Sequence, residues 1–240
     1  MSNYNYFKEK FIYYFDYYNL DYNDEIIYKF YDFTNILTEE NKKYNLISRL
    51  ALDNIGELIL KHYIDSAIIL KYFEIADGAK IIDVGCGAGF PSLPVAFMRP
   101  DLNISFLDSS AKKINFIRNA AGQNRGLNFY CGRAEELART DLRESYDCAV
   151  SRAVAKLNIL CELSTPFVKP GGYFIAYKSV NAEEEIRESK NAAKTFGLVI
   201  EDIKEFDLDN NRRVLIKIKK IKETPSKYPR NFANITKNPV

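Results

Sequence analysis

The first third of the 240-residue chain has the hydrophobic pattern of amphipathic helices, with apolar residues recurring every three or four positions. The first run consists of Phe7, Phe11, Phe15 and Tyr18, and the second of Ile26, Phe30, Phe33 and Leu37. A third run extends from Ile55 to Leu70, and the segment "NLDYND" offers N-cap residues for the second helix. We expect the aromatic stripes to form core rather than a platform for stacked bases.

From residue 80 onward, short apolar runs alternate with helical patterns, which predicts strands separated by helices. The predicted strands are 80–84, 103–107, 127–130, 146–150, 173–177, 199–206 and 214–218, and the predicted helices are 93–98, 111–122, 134–137, 156–163 and 182–196. This alternation indicates a mainly parallel, Rossmann-like α/β sheet. The last two strands have no helix between them, which predicts an antiparallel edge, and "KPGG" predicts a turn before the fifth strand.

The pattern divides the chain into an N-terminal helical cap, residues 1–75, and an α/β domain with a basic C-terminal end, residues 76–240. Residues 1–78 carry 8 basic and 13 acidic side chains, whereas residues 79–240 carry 26 and 19. Within the second part, residues 212–240 hold 9 basic side chains and 1 acidic one. Such an end is either a surface for phosphate groups or a solvated terminus.

The composition argues against a metal site and against a membrane span. None of the four cysteines belongs to a Cys-x-x-Cys pair, and His62 is the single histidine, so we expect no bound metal. Scattered cysteines are typical of buried free thiols in a reducing compartment. The N-terminus lacks the pattern of a signal peptide, and no stretch approaches about 20 apolar residues. We therefore expect a cytoplasmic protein.

The segment "IIDVGCGAGFPSLP" joins the first predicted strand to a helix and carries Gly85, Gly87 and Gly89. In an open α/β sheet, a loop in this position lies where ligands bind. The dinucleotide fingerprint Gly-x-Gly-x-x-Gly would require a further glycine at the position of Phe90. The shorter spacing, preceded by Asp83, is typical of methyltransferases that use S-adenosyl-L-methionine. A tight structural turn is the alternative interpretation.

Two further strand ends carry residues in the order that this cofactor requires. Asp108 ends the second strand, 25 residues after Asp83, and Ser109 follows it. A carboxylate there accepts hydrogen bonds from ribose hydroxyls, although nicotinamide cofactors use the same geometry. After the third strand, "GRAEEL" places Ala134 and Glu135 where methyltransferases cover the adenine ring and contact its amino group. Together the three loops favour a methyltransferase over an oxidoreductase.

The segment "AVSRAVAKLN" follows the fourth strand, in a position that usually faces the group to be methylated. The chain contains neither the Asn/Asp-Pro-Pro-aromatic motif of amino-methylating enzymes nor the Pro-Cys nucleophile of cytosine C5 enzymes. Arg152 lies here instead, and an arginine cannot act as a base at neutral pH. This suits an acceptor that is nucleophilic without losing a proton, such as guanine N7. An ion pair at a strand end is the alternative role of Arg152.

Seven motifs together resemble one family: "KYNLIS", "HYIDS", "DVGCGAGFPSLP", "RPDLNISFLDSSAKKINFI", "SRAVAKL", "YKS" and "KYPR". From about Asn41 to Arg230 the chain looks like ribosomal RNA small subunit methyltransferase G, also called glucose-inhibited division protein B. The resemblance implies a class I S-adenosyl-L-methionine-dependent fold with a seven-stranded sheet. It also implies direct methyl transfer to N7 of one guanosine in the decoding-region loop of bacterial 16S ribosomal RNA. The partner would be the RNA, the small ribosomal subunit or an assembly intermediate.

The resemblance also assigns site residues. The cofactor-contacting positions of the family fall on Gly85, Phe90, Ala134, Glu135 and Arg152, and its strand-end acids fall on Asp83 and Asp108. With Gly87, Gly89 and Ser109, these residues form the predicted cofactor site. We predict Arg152 and Lys178, which ends the fifth strand near the cleft, as the catalytic residues.

Several basic residues are candidates for contacts with RNA phosphates, which would make binding sensitive to salt. They are Lys112, Lys113, Arg118, Arg125, Lys178 and the basic residues from Arg212 to Lys222. His62, Asp65 and Ser66 have the residue types of a hydrolase triad, but they lie within about one helical turn and no nucleophile turn is present. We expect them to form a network on a helix surface that closes over the cofactor.

Two other functions are compatible with these residues. One is a small-molecule methyltransferase with the same cofactor loops, in which the helical cap closes an apolar pocket. The other is a non-catalytic RNA-binding protein on a decayed cofactor fold, against which the intact loops argue.

Overall fold

The computed structural model describes residues 3–122 and 125–240, and at its centre lies a seven-stranded sheet. The strands are β1 (Lys80–Val84), β2 (Asn103–Asp108), β3 (Leu127–Cys131), β4 (Tyr146–Arg152), β5 (Val168–Lys178), β6 (Leu198–Leu208) and β7 (Asn211–Lys220). All seven predicted strands are confirmed. β4 continues two residues beyond its predicted end, and β5 is longer because it includes a bulge at residues 169–172. β6 and β7 are longer because they continue into segments with charged residues.

The strand order is β3-β2-β1-β4-β5-β7-β6. β1 pairs in parallel with both β2 and β4, so the order of the strands reverses between β1 and β4. β7 runs antiparallel to its neighbours β5 and β6, which confirms the predicted antiparallel edge. Its hairpin turns through Asp209 and Asn210, both at positive φ. A reversal of strand order opens a crevice beyond the carboxyl ends of the strands, where such sheets bind ligands.

Helices build the N-terminal cap and pack on the sheet. The cap contains α1 (Asn3–Tyr18), α2 (Asp24–Asn41), α3 (Arg49–Asp53), α4 (Ile55–Leu58), a π-helical turn (Ile59–Ile64), α5 (Asp65–Ala67) and α6 (Ile69–Tyr72). The α/β domain contains α7 (Ser92–Met98), α8 (Ala111–Ala121), α9 (Ala134–Leu137), α10 (Leu157–Ser164), a 3₁₀ turn (Thr165–Phe167), α11 (Ala182–Glu188), α12 (Lys190–Phe196) and α13 (Phe232–Lys237).

The amphipathic pattern of α1 and α2 places phenylalanines inside the cap. The buried side chains of α1 are Phe7, Phe11 and Phe15. The rings of Phe11 and Phe15 stack with their centroids 3.7 Å apart. Asn23 caps α2, since its side chain accepts a hydrogen bond from the Ile26 backbone N–H at 2.8 Å. The prediction that the phenylalanines form core is therefore confirmed.

The third helical run differs from the prediction because a π-helical turn interrupts it. A π turn contains more residues than an α turn, so the buried face shifts along the chain. Leu60 and Ile64 are buried although the apolar stripe predicted for this run passes through Leu58, Ile59, His62 and Tyr63. Ile68 separates α5 from α6. π turns are frequent at functional sites, and this one carries His62.

Two segments of the α/β domain also differ from the prediction. "KPGG" does not precede β5 but lies inside it, because the pairing of β4 with β5 skips residues 169–172, which bulge out. Gly171 has a φ of +88° in this bulge. The predicted helix 182–196 is divided at Ser189, whose hydroxyl donates to the Ile186 carbonyl at 2.9 Å. Such a side-chain bond competes with regular helical bonding.

One hydrophobic core extends from the cap into the adjacent face of the sheet. The ring centroid of Phe33 on α2 lies 5.7 Å from that of Phe90 and 5.8 Å from that of Phe97. A second core fills the other face, beneath α10 and α12. Aromatic packing thus fixes the cap to α7 and to the loop after β1, and a domain boundary after residue 75 stays a prediction.

The cysteines and the helices test two expectations from composition, namely buried free thiols and no membrane span. All four cysteines are free thiols; Cys86, Cys148 and Cys161 are buried, whereas Cys131 is exposed. Cys131 therefore departs from the expectation of buried thiols. Within the described ranges, no helix is long and apolar enough to cross a membrane.

We expect Phe33→Ala to lower the free energy of unfolding by about 3–5 kcal/mol, because it leaves a cavity between cap and sheet. Tyr28→Ala is the matched control, since Tyr28 lies on the same helix but is 61% exposed. Its loss should change stability by less than about 0.5 kcal/mol. Chemical denaturation followed by circular dichroism measures both variants. Equal losses would contradict a core shared by cap and sheet.

Candidate active site

A pocket of about 530 Å³ lies beyond the carboxyl ends of β1, β2, β3 and β4. Each strand contributes the residues that follow or end it, among them Gly85, Asp108, Ala134 and Ala153. The volume falls within the usual range of small-molecule sites, roughly 300–1,000 Å³. The reversal of strand order therefore produces a ligand-sized site at the position that the sequence predicted.

Most of the residues predicted to contact the cofactor meet in this pocket. The eight that line it are Gly85, Gly87, Phe90, Asp108, Ser109, Ala134, Glu135 and Arg152. Asp83 lies buried beneath the glycine loop instead. Gly89 faces Leu93 and Ile117, so it serves the packing of the loop against its helices rather than the pocket wall.

Backbone rather than side chains forms the pocket wall at the glycine loop. Gly85 and Gly87 have φ angles of +78° and +58°, a region that favours glycine. The Gly85 N–H donates to the Leu107 carbonyl at 2.8 Å, which fixes the loop to the end of β2. A Cβ atom at Gly85 would collide with the side chain of Val154. At Gly87, by contrast, a Cβ atom would meet no atom nearer than the Gly85 carbonyl oxygen at 4.0 Å, so a ligand can approach the backbone closely there.

Asp83 is fully buried and joins the glycine loop to α7. Its Oδ2 accepts a hydrogen bond from the Ser92 backbone N–H at 3.2 Å, whereas its Oδ1 has no hydrogen-bond partner among the described residues. Burial raises the pKa of Asp83 to about 7, although Ser92 and the charge of Arg152 act to lower it. A positively charged ligand nearby lowers the pKa of such a buried carboxyl group, so the group ionises more readily when the ligand binds.

The carboxylate of Asp108 connects the loops that follow β1 and β2. Its Oδ2 accepts from the Gly87 N–H at 3.1 Å, and its Oδ1 accepts from the Ser110 N–H at 2.9 Å. The Lys113 Nζ lies 3.7 Å from the same Oδ2. Each carboxylate oxygen has two acceptor sites, so Asp108 retains capacity for hydroxyl groups of a ligand.

The loop after β3 and the C-terminal segment form a further wall of the pocket. Arg133 Nε lies 3.2 Å from Glu135 Oε1, and the Arg133 guanidinium lies 4.4 Å from the ring centroid of Phe232. The segment before Phe232 is fixed to α10, since Arg230 Nη2 lies 2.6 Å from Glu162 Oε2. A residue near the end of the chain thereby reaches the pocket.

Arg152 lies where the cap and the sheet meet. Its Nη1 donates to Asp65 Oδ2 at 2.7 Å, and its guanidinium lies 5.3 Å from the ring centroid of Phe90. Its Nη2 lies 3.4 Å from His62 Nδ1. Arg152 therefore forms an ion pair at a strand end and also lines the pocket. Its role in catalysis stays a prediction.

His62, Asp65 and Ser66 do not form a triad. The Ser66 hydroxyl donates to the His62 carbonyl, and Asp65 faces Arg152. Burial lowers the pKa of His62 to about 3, and the charges of Arg152 and Lys61 act in the same direction, so the imidazole is neutral at physiological pH. The expected location on a helix surface is wrong, because Asp65 and Ser66 are buried between cap and sheet.

A second pocket, of about 620 Å³, adjoins the first. The residues that line both pockets are His62, Arg152, Ala153 and Val154. Lys178 lines the second pocket and not the first. Its Nζ lies 2.6 Å from Glu185 Oε2 and donates to the Ala155 carbonyl at 2.7 Å, so the side chain is already held by the protein.

Many of the basic residues that were candidates for RNA contacts have acidic partners within the protein. Lys220 is buried, with its Nζ 2.6 Å from Glu144 Oε1. Arg212 lies 3.1 Å from Glu183 and 2.7 Å from Glu205. The basic C-terminal end is thus largely built into the fold and does not form a free basic tail.

Part of the pocket lining was not predicted as site residues. These residues include Leu46, Ile47, Ser48, Lys113, Val154 and Phe232. Leu46, Ile47 and Ser48 belong to "KYNLIS" and Val154 belongs to "SRAVAKL", so the family motifs contained them without a role. Asn41 holds the first of these segments, since its Oδ1 accepts from the Leu46 N–H at 2.7 Å. No local signal marks Phe232.

The strand order, the glycine loop and the acid that ends β2 define the fold of class I S-adenosyl-L-methionine-dependent methyltransferases. A solved structure with this fold is Aeropyrum pernix fibrillarin in complex with natively bound S-adenosyl-L-methionine. It matches with a TM-score of 0.50 and 17% identity, over 62% of this chain and 71% of that one. The predicted Rossmann-like methyltransferase fold is confirmed.

A family model described as rRNA small subunit methyltransferase G matches residues 26–216. The protein named ribosomal RNA small subunit methyltransferase G in Clostridium botulinum strain Loch Maree is 43% identical over 92% of this chain and 94% of its own length. The one in Clostridium kluyveri is 42% identical over 92% and 93%. The chain belongs to the rRNA small subunit methyltransferase G family, and the match begins within α2, earlier than the motifs indicated.

The burial of Asp83 leads to a prediction about pH. The pKa of about 7 lies above the ordinary value of 3.8, so the folded protein retains a proton that the unfolded chain releases. Stability should therefore fall as the pH rises from about 4 to about 7. Asp83→Asn removes this ionisation, and we expect its melting temperature to exceed that of the wild type by several degrees at pH 8 and by less at pH 5.

Calorimetric scans of the wild type and Asp83→Asn at both pH values measure this effect. The difference between the two proteins isolates Asp83, because His62 is present in both. The lowered pKa of His62, about 3, acts in the opposite direction, so that it makes stability rise between about pH 3 and pH 6.5. An identical difference in melting temperature at pH 5 and pH 8 would contradict the raised pKa of Asp83.

Proposed function

We propose that this protein transfers a methyl group from S-adenosyl-L-methionine to N7 of a guanosine in the decoding-region loop of bacterial 16S ribosomal RNA, in the cytoplasm. The observation that carries the proposal is the convergence of the glycine loop, Asp108 and Glu135 on one pocket in a chain of this family. The names of its relatives, ribosomal RNA small subunit methyltransferases, support an RNA acceptor. S-adenosyl-L-homocysteine would be the second product.

The residues of the first pocket fit this cofactor. The open space beside the Gly87 backbone suits the close approach of a ligand, and Asp108 retains acceptor sites for ribose hydroxyls. Ala134 and Glu135 would lie beside the adenine ring. Asp83, whose pKa is raised to about 7 beneath the loop, responds to a cationic ligand by ionising. When bound, S-adenosyl-L-methionine supplies an electrophilic methyl group on a sulfonium.

The chain's own residues favour direct transfer without a general base. Guanine N7 carries a free lone pair, so no proton has to be removed from it. Arg152 stays charged, and the neighbouring His62 is neutral because burial lowers its pKa. We assign Arg152 to orienting the acceptor and stabilising charge beside it. We assign Lys178, held by Glu185 and by the Ala155 carbonyl, to positioning the loop after β4.

The direct test combines the purified protein with methyl-labelled S-adenosyl-L-methionine and small ribosomal subunits from a strain that lacks the modification. We expect label at a single guanosine of 16S ribosomal RNA. Chemical cleavage that is specific for N7-methylguanosine should cut the RNA at this nucleotide. In a parallel reaction with the metabolites of an RNA-free extract, label on a metabolite, with none on ribosomal RNA, would favour a small-molecule methyltransferase. Absence of cofactor binding in calorimetry would favour a non-catalytic RNA-binding protein. Label on another base would contradict the N7 assignment.

The cofactor pocket also has a test that does not require catalysis, because the chain contains no tryptophan. Phe232→Trp introduces one fluorophore at the pocket wall, beside Arg133. We expect its emission to change saturably with added S-adenosyl-L-methionine, since the ligand alters the polarity around the ring. Tyr28→Trp, at an exposed position on α2, is the control whose emission should stay constant. Constant emission of Phe232→Trp despite calorimetric binding would argue against this pocket.

A further inference from the structure

The second pocket is lined by an excess of positive charge. Its charged lining residues are Lys61, Arg152, Lys178 and Arg213, against Asp65 and Glu185. Lys61 pairs with Glu57 outside the lining, so the unbalanced charge comes from the two arginines that share Asp65. Its volume of about 620 Å³ is sufficient for a ligand of nucleotide size. Because the two pockets share Arg152 and the loop that follows it, a ligand in the second pocket borders the first. The charge and the position suit an anionic acceptor.

The direction of β7 explains how Arg213 reaches this pocket. β7 is antiparallel to β5, so its first residues lie at the edge where the parallel strands end, and Val214 pairs with Lys178. Arg213 Nε lies 3.3 Å from Asp65 Oδ1, and Arg152 Nη1 lies 2.7 Å from the other carboxylate oxygen. Asp65 therefore holds two guanidinium groups, from β4 and from β7, at the same site.

The contact between Arg213 and Asp65 leaves hydrogen-bonding capacity on both sides. Asp65 Oδ1 is buried and has no hydrogen bond within the part of the chain that the structure describes, because the Arg213 N–H is not aligned with it. Arg213 also donates a long bond of 3.4 Å to the Arg212 carbonyl. A guanidinium has five N–H donors, so Arg213 retains donors for an oxyanion. Its side chain is 27% exposed and thus accessible.

We propose that the second pocket is the acceptor subsite for RNA, and that Arg213 binds the phosphate of the nucleotide whose base faces the methyl donor. Asp65 is the positioning residue that holds Arg213 beside Arg152. The inference rests on the proposed function, since it takes RNA as the acceptor. A phosphate group matches the guanidinium because it accepts two parallel N–H bonds. Such a contact fixes register without reading sequence, which suits the presentation of one base.

Arg213→Gln tests this assignment, because it removes one charge while Asp65 keeps its ion pair with Arg152. We expect the KM for small ribosomal subunits to rise roughly tenfold. The slope of log Kd for RNA against log salt concentration should fall by about 1, as expected for the loss of one phosphate contact. The Kd for S-adenosyl-L-methionine should stay near the wild-type value, because Arg213 does not line the first pocket.

Arg212→Gln is the matched control. Arg212 is adjacent in β7, so its side chain lies on the opposite face of the sheet, where it pairs with Glu183 and Glu205. It removes the same charge outside the pocket, so the KM and the salt slope should stay near the wild-type values. An unchanged slope and KM in Arg213→Gln would overturn the inference and leave the proposed function intact. Failure of the wild type to methylate ribosomal RNA would instead remove the proposed function.

Thermal melting shows whether Arg213→Gln is folded. If it is not, Arg213→Lys decides, because lysine keeps the charge but cannot make two parallel bonds. A raised KM with an unchanged salt slope in Arg213→Lys would support the phosphate contact, and a KM equal to that of the wild type would overturn it.

Discussion

The ion pair between Asp65 and Arg152 is the contact on which the arrangement of both pockets depends. It joins α5 of the cap to the end of β4, with 2.7 Å between Nη1 and Oδ2, and both side chains are largely buried. A buried carboxylate that lost its partner would cost on the order of 3–5 kcal/mol, so the pair strongly favours one placement of the cap. In that placement the cap closes the crevice that the reversed strand order opens. Arg152 then lines both pockets at once.

Apolar packing around this ion pair sets the electrostatics of the site. The ring of Phe90 lies 5.3 Å from the Arg152 guanidinium and 4.9 Å from the His62 ring, so one side chain of the glycine loop contacts both. The same desolvation raises the pKa of Asp83 to about 7 and lowers that of His62 to about 3. Burial therefore keeps the imidazole neutral and leaves a carboxyl group that responds to a cation, two properties that residue types alone do not determine.

The sheet and the glycine loop could be predicted from the sequence because their signals are local. β1 begins and ends at the predicted residues, since its short apolar run is bounded by turn residues, and α9 also has the predicted bounds. The π-helical turn could not be predicted, because Ile59–Ile64 has the composition of an ordinary helix. Phe232 and the pairing of Arg213 with Asp65 were missed for another reason. Each depends on a contact between segments that are far apart in the chain, and only the packed structure brings such segments together.

The charge of the C-terminal end shows how the fold changes what composition indicates. Lys220 and Arg230 form ion pairs with Glu144 and Glu162, and the unbalanced positive charge at the second pocket comes from Arg152 and Arg213, which share Asp65. A cation that is already paired within the protein contributes less to phosphate binding than one on a free basic tail, so these residues should make RNA affinity depend less steeply on salt. On the proposed function, selection of the target must then come from the shape of the acceptor pocket, which a base can enter only after leaving its stack. The cap supplies one side of that pocket through Lys61, His62 and Asp65, and all three lie within the family match.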